Sequence, residues 1–240
     1  MNRRAIMAVE SRPIPTIEVV EEITRSGSWN PPKGCYEVDV FLVGGGGGAQ
    51  GYSDRSVNPQ EMANGGAGGY TKTFYGIQVD PGASYRVQIG SGGRGGGDNG
   101  GSNGGSTYFI NTKYMANGGS GASLSRGGDG GSGGGTGGGN GGTNGSDGTS
   151  KIGQPGKGQG TTTRCPFKGY ENVNFAGGGG SAAGDQGYGY AGDNSAGHSR
   201  YQQGYSAPSN RGGGGGGTWG GRTGGSGGSG VIILHYWKAE

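Results

Sequence analysis

The chain has 240 residues, of which 69 are glycine and only 28% are hydrophobic. Glycine therefore stands at about four times its usual share of roughly 7%, and an ordinary apolar core can cover only part of the chain. Nineteen basic against sixteen acidic residues leave a net charge of +3, too balanced to make a polyanion the first partner to consider.

Residues 1–28 are poor in glycine and read as an attachment or lead-in segment. The start, Met1 to Glu10, is basic but has no apolar run long enough for a signal peptide. Nowhere do eighteen apolar residues run together, so no membrane span is expected. Synthesis in the cytoplasm and release by lysis or on a particle is the expectation. Within this segment Thr16–Ile23 reads as a strand or a short helix, and its period does not decide between them.

Residues 29–240 read as one glycine-rich domain. In Tyr36–Val43 the side chains of Tyr36, Val38, Val40 and Leu42 share one face, the period-two pattern of a half-buried strand. Tyr70–Val79 and Ser84–Ile89 are two further strands, with Tyr75, Ile77 and Val79 together on the first. Asp80-Pro81-Gly82-Ala83 between them suits a type II turn, so a hairpin is predicted. The last strand, Val231–Trp237, is almost uninterruptedly apolar and is expected to be central or covered on both faces.

Glycine tracts lie at roughly 90–105, 118–160, 176–184 and 211–230, bracketed by these strands. The chain returns from them to complete the sheet, which a disordered tail would not do. Glycine loses more backbone freedom on folding than alanine, about 0.5–1 kcal/mol per residue. Ordered tracts therefore need a compensating interaction. Polyproline-II geometry, with three residues per turn and outward-pointing N–H and C=O groups, supplies one if neighbouring helices bond to each other. A flexible linker-like coil is the competing reading. Collagen is excluded because glycine keeps no strict G-X-Y register. The fold class expected is all-β: a small antiparallel sheet or sandwich with a packed bundle of polyglycine-II helices and little or no α-helix.

Catalytic and metal-binding patterns fail, so no enzyme, cofactor or metal site is expected. Gly153-Gln-Pro-Gly-Lys157 lacks the spacing and the Ser or Thr of a phosphate loop. His198 and His235, the two histidines, have no paired metal spacing, and His235 reads as a packed strand residue. Cys35 and Cys165 show neither zinc nor disulfide-framework spacing, with two separate thiols preferred over one bridge. Arg-Gly-Gly triplets at Arg94, Arg126 and Arg211 raise an RNA-binding reading, but they are far apart among acidic residues. Nucleic acid is not an expected partner.

Four glycine-poor insertions interrupt the tracts: Gln50–Ala63, Ser106–Asn117, Thr161–Phe175 and Asp185–Asn210. Loops on a rigid scaffold are where binding commonly resides, and tyrosine beside small polar residues gives contact area at low entropic cost. The candidate contact residues are Tyr188, Tyr190, His198, Arg200, Tyr201 and Tyr205 in the last insertion, with Tyr108 and Tyr114 in the second. Capping of exposed glycine helices by these tyrosines is the alternative.

The order Trp29…Pro32-Lys-Gly34, Val38–Gly48, Val79-Asp-Pro-Gly82…Tyr85–Gly90 and Gly227–Ile233 resembles the glycine-rich domains of bacteriophage tail-fibre and prophage proteins. More distantly it is similar to the tip adhesins of T-even-like phages, which stack polyglycine-II helices. Its longer strands depart from those adhesins. The resemblance implies a virion location, attachment to other tail-fibre proteins through the N-terminal segment, and binding of a host surface glycan or outer-membrane protein. It leaves homo-oligomers open. A purely structural fibre or decoration protein is the rival reading.

Overall fold

A computed structural model describes residues 13–52, 62–184, 187–221 and 223–240. Among them the chain is all-β, with fifteen strands and no helix. The first eight are β1 (Ile17–Ile23), β2 (Gly27–Trp29), β3 (Glu37–Val43), β4 (Gly51–Tyr52), β5 (Met62–Ala63), β6 (Thr71–Gln78), β7 (Tyr85–Gln88) and β8 (Thr107–Phe109). The rest are β9 (Met115–Ala116), β10 (Ala182–Ala183), β11 (Gly187–Tyr188), β12 (Ser199–Tyr201), β13 (Gln203–Gly204), β14 (Thr218–Trp219) and β15 (Val231–Lys238).

The main sheet runs β1-β15-β3-β6, antiparallel throughout. β15 is central, and its continuous apolar run follows from burial on both faces. Ile232, Leu234 and Tyr236 join Val38, Val40 and Leu42 on one face. Val231 and Ile233 join Phe41 and Val43 on the other. The second sheet, β2-β7-β8-β9, covers the first face with Trp29, Val87, Phe109 and Ala116. The opposite face lies under Cys165, Phe167, Phe175 and Ala176. β3 is thus buried on both faces along its C-terminal half rather than half-buried, because each face finds its own cover.

The predicted hairpin does not form. The turn is there: Ala83 N–H donates to Asp80 O at 3.0 Å, and Gly82 has φ +91°, as position three of a type II turn requires. However, β6 pairs with β3 while β7 pairs with β2 and β8. The turn is a corner between two sheets. Alternation told which side chains point inward but not which strand lies alongside. Tyr75 also departs from the reading, being 66% exposed. A bulge shifts the register so that Val38 faces Ile77 and Val40 faces Phe74. Gly76, at φ +67°, donates its N–H to Asp39 Oδ1 there, so Phe74 takes the inward place.

The N-terminal reading changes as well. Ile17–Ile23 is a strand, paired along its whole length with β15. Tyr236 and the Trp29 indole both donate to Glu21 Oε2, and Tyr170 donates to Glu22 Oε2. The structural unit therefore takes in β1 and begins before residue 29. Residues 1–12 lie outside those described.

Cys35 and Cys165 are free thiols in clusters on opposite faces of the main sheet. Burial pushes Cys35 up to about 11 and Cys165 up to about 12, so both stay protonated and inert near neutrality. His235 is a packed strand residue: its ring bridges Asp39 on β3 and Glu18 on β1, at 3.1 and 3.0 Å, and stacks on Phe167. Burial favours the neutral ring, but the bonds to Glu18 and Asp39 outweigh it, raising the pKa above the ordinary 6.5. A raised folded-state value contributes stability that is complete below about 6.5 and lost as the pH rises through that folded value. Denaturant titrations should show stability falling as the pH rises above about 6.5, with a flatter profile in His235→Gln. Equal slopes in the two proteins would remove His235 as the cause.

The glycine tracts form extended rods with a three-residue hydrogen-bond period. In 44–50 the N–H groups of Gly44, Gly47 and Gln50 donate to Tyr70, Ala67 and Asn64. Those of Gly45 and Gly48 donate to Gly105 and Ser102, and those of Gly46 and Ala49 to Gly228 and Gly225. All seven bonds are 2.8–3.0 Å long. The carbonyls repeat the pattern towards three other segments. Gly45 and Gly48 accept from Gly119 and Ala122, Gly46 and Ala49 from Gly93 and Gly96, Gly47 and Gln50 from Gly215 and Thr218. This rod is enclosed by six neighbours, antiparallel where it donates and parallel where it accepts. The rod at 65–70 behaves alike, donating in turn to Gly135 and Ser132, to Gly215 and Gly212, and to Ser120 and Asn117.

At the glycines of 44–48 there is no room for a side chain, although Ala49 and Ala67 each fit a buried methyl group into their rods. A Cβ on Gly44 or Gly47 would run into the carbonyl oxygens of Asn117 or Ser120, one on Gly45 or Gly48 into Ser91 or Arg94, and one on Gly46 into Gly213. Along 44–48 all three edges of the rod are closed. The entropic cost of about 0.5–1 kcal/mol per glycine is offset by bonds contributing about 0.5–1.5 kcal/mol each.

Candidate functional site

The four insertions separate once folded. In the first, residues 53–61 lie outside those described. The second becomes β8 and β9 of the second sheet: Tyr108 lies beneath Arg86, and Tyr114 packs edge-on against Phe74 with centroids 5.3 Å apart. Tyr114 is therefore a core-flanking residue, and neither tyrosine lines the groove formed by the last insertion. The third insertion supplies Cys165, Phe167 and Phe175 to the main-sheet core; its apolar residues cover a face instead of forming a free loop.

The last insertion builds an aromatic-lined recess. Asp185 and Gln186 lie outside the described residues; from Gly187 onwards the geometry is defined. Rods 189–192 and 195–198 are bonded into the lattice, Gly189 N–H donating to Ser181 O and Gly197 N–H to Gly214 O. They hold β11 and β12 side by side, and Ser199 N–H donates to Gly189 O at 3.3 Å. A groove of about 440 Å³ opens between them, lined by Tyr188, Tyr190, Ser199, Arg200 and Tyr201. Tyr190 is 70% exposed.

Two of the three rings, and the arginine, are braced by other side chains. Tyr190 meets the His198 ring edge-on, and His198 Nδ1 accepts the Ala191 N–H at 3.1 Å. Tyr201 lies over Trp219 of β14, with centroids 5.7 Å apart. Arg200 extends over the Tyr205 ring, 5.3 Å from its centroid. Partial burial, then the neighbouring Tyr201, raises the Tyr188 pKa, so its hydroxyl remains a donor at neutral pH. Of the six candidates in this insertion, four line the groove, while His198 and Tyr205 stand behind it as supports.

Two contributors escaped the sequence reading. Ser199 carried no pattern of its own, and Trp219 lies eighteen residues beyond Tyr201, brought there by parallel pairing of β12 with β14. Ser199 is 4% exposed. Among the described residues, neither its hydroxyl nor the Trp219 indole N–H has a partner. No group of three or more His, Cys, Asp or Glu residues able to hold a metal occurs among the described residues. No helix among them is long and apolar enough to cross a membrane.

The profile of the glycine-rich domain family matches residues 22–237, which takes in the end of β1, all the described rods and nearly all of β15. The chain belongs to the glycine-rich domain family. No curated protein matches it. In this glycine-rich domain the matched span coincides with the lattice and its closing sheet. The three Arg-Gly-Gly triplets are part of that architecture. Arg126 pairs with Asp129, Arg211 with Glu22 and the Phe175 ring, and the Arg94 carbonyl accepts from Ser102.

Proposed function

We propose that this glycine-rich domain is a structural and adhesive component of a phage tail fibre, in which the glycine tracts are polyglycine-II helices and the tyrosine groove contacts the host surface. The observation that carries the reading is an aromatic groove mounted on a scaffold cross-linked by backbone hydrogen bonds. The three-residue bonding period supports the helix type, because three residues per turn return each edge to the same neighbour. A scaffold bonded in six directions holds its segments without an oily interior, which suits a thin fibre end. The residues before Ile17 would join the domain to other fibre proteins, and the host partner would be a surface glycan or outer-membrane protein.

Replacing Tyr188, Tyr190 and Tyr201 together by serine should weaken adsorption to cells of the infected bacterium at least tenfold, the equivalent of about 1.4 kcal/mol. Melting should move little, because these rings lie outside both apolar clusters. Unchanged adsorption would take the groove out of recognition and favour a purely structural role in the particle.

A further inference from the structure

We infer that the groove between β11 and β12 binds a saccharide carrying a carboxylate. This deepens the adhesive reading of the same site and rests on it only for the biological setting, since saccharide binding is measurable without cells.

Three observations select this ligand chemistry. The first is the lining: three tyrosine rings, a serine and an arginine, with no aliphatic side chain among them. Tyrosine and arginine also anchor protein interfaces, so the choice of ligand rests on how these groups are presented. Here the rings offer flat π-faces, to which the C–H face of a pyranose is complementary. The size, about 440 Å³, is that of a small-ligand site.

The second observation is the unpartnered Ser199 hydroxyl. It is a buried donor and acceptor at the groove wall without a bond among the described residues. Leaving such a group unpaired is unfavourable, and a sugar hydroxyl meets both of its needs. The third is charge. Arg200 is the one ionised side chain among the described lining residues, and its guanidinium rests 5.3 Å from the centroid of the Tyr205 ring. A guanidinium forms paired hydrogen bonds with a carboxylate.

The test is calorimetric titration of the full chain with a hexuronate oligomer and, in parallel, with a neutral glucose oligomer, accompanied by fluorescence of Trp219 beneath Tyr201. The expected result is binding of the acidic oligomer at least tenfold tighter than the neutral one. Arg200→Gln should remove that preference, and Ser199→Ala should weaken both ligands, each with unchanged melting. Tyr190→Ala, at the most exposed ring, serves as a second groove variant should Ser199→Ala fail to fold. Failure of the folded wild-type protein to bind either oligomer overturns the inference. So does equal binding of both with no effect of Arg200→Gln. Adsorption to cells without saccharide binding would leave the adhesive function standing and assign the groove to a protein partner. Saccharide binding without adsorption would do the reverse.

Discussion

Gly47→Ala is expected to destabilise the protein by about 2–6 kcal/mol, although it adds a single methyl group. Gly47 sits in the rod with six neighbours, where its N–H bonds to Ala67 and its carbonyl accepts from Gly215. The new methyl would collide with the Ser120 carbonyl, which is backbone and cannot rotate aside. Overpacking typically costs about 1–3 kcal/mol, and each backbone group forced out of its bond costs about 1–3 kcal/mol more. Elsewhere, replacing glycine by alanine at a compatible backbone stabilises by about 0.4–1 kcal/mol, because it restricts the unfolded chain. Gly27 provides that contrast, as a Cβ there meets nothing within 4 Å. Thermal and denaturant melts of the two variants decide the matter. A Gly47→Ala protein as stable as the Gly27→Ala protein would mean that the rods are not close-packed.

Deletion of Val231–Lys238 should leave no cooperatively folding protein. These residues form the central strand, and among the described residues β1 pairs with no other strand. Val231, Ile232, Ile233 and Leu234 are fully buried and shared between the two apolar clusters. Each such side chain contributes about 1.5–3 kcal/mol, against typical total stabilities of about 5–15 kcal/mol. The strand also ends the 224–230 rod, whose Gly225 and Gly228 accept bonds from Ala49 and Gly46, so sheet and lattice would fail together. Ile233→Ala is the milder form, with an expected cost of about 2–5 kcal/mol. If the truncated chain still gave a sharp transition near the parent temperature, the rods would be a separately stable unit.

The sequence by itself determined the strands at 37–43, 71–78, 85–88 and 231–238, since each carries an apolar pattern that local reading detects. It also placed the turn at Asp80–Ala83 through its proline and glycine, and it singled out 188–205 as the aromatic insertion. The glycine tracts themselves were visible too, as stretches whose missing side chains permit close backbone approach. What tertiary structure decided was partnership. Strands β6 and β7 parted company because pairing depends on which faces meet, and alternation is silent about that. Ile17–Ile23 became a strand only because β15 offered it an edge, so its own ambiguous period could not announce the domain boundary. The bulge at Gly76 exchanged Tyr75 for Phe74, a one-residue shift that no composition records. The groove followed the same rule: its tyrosines were visible in the chain, but Ser199 and Trp219 joined them through backbone bonds between segments distant in sequence. In a protein held largely by main-chain hydrogen bonds, the partner of each segment is chosen by groups that every residue shares, and these leave no mark in the sequence.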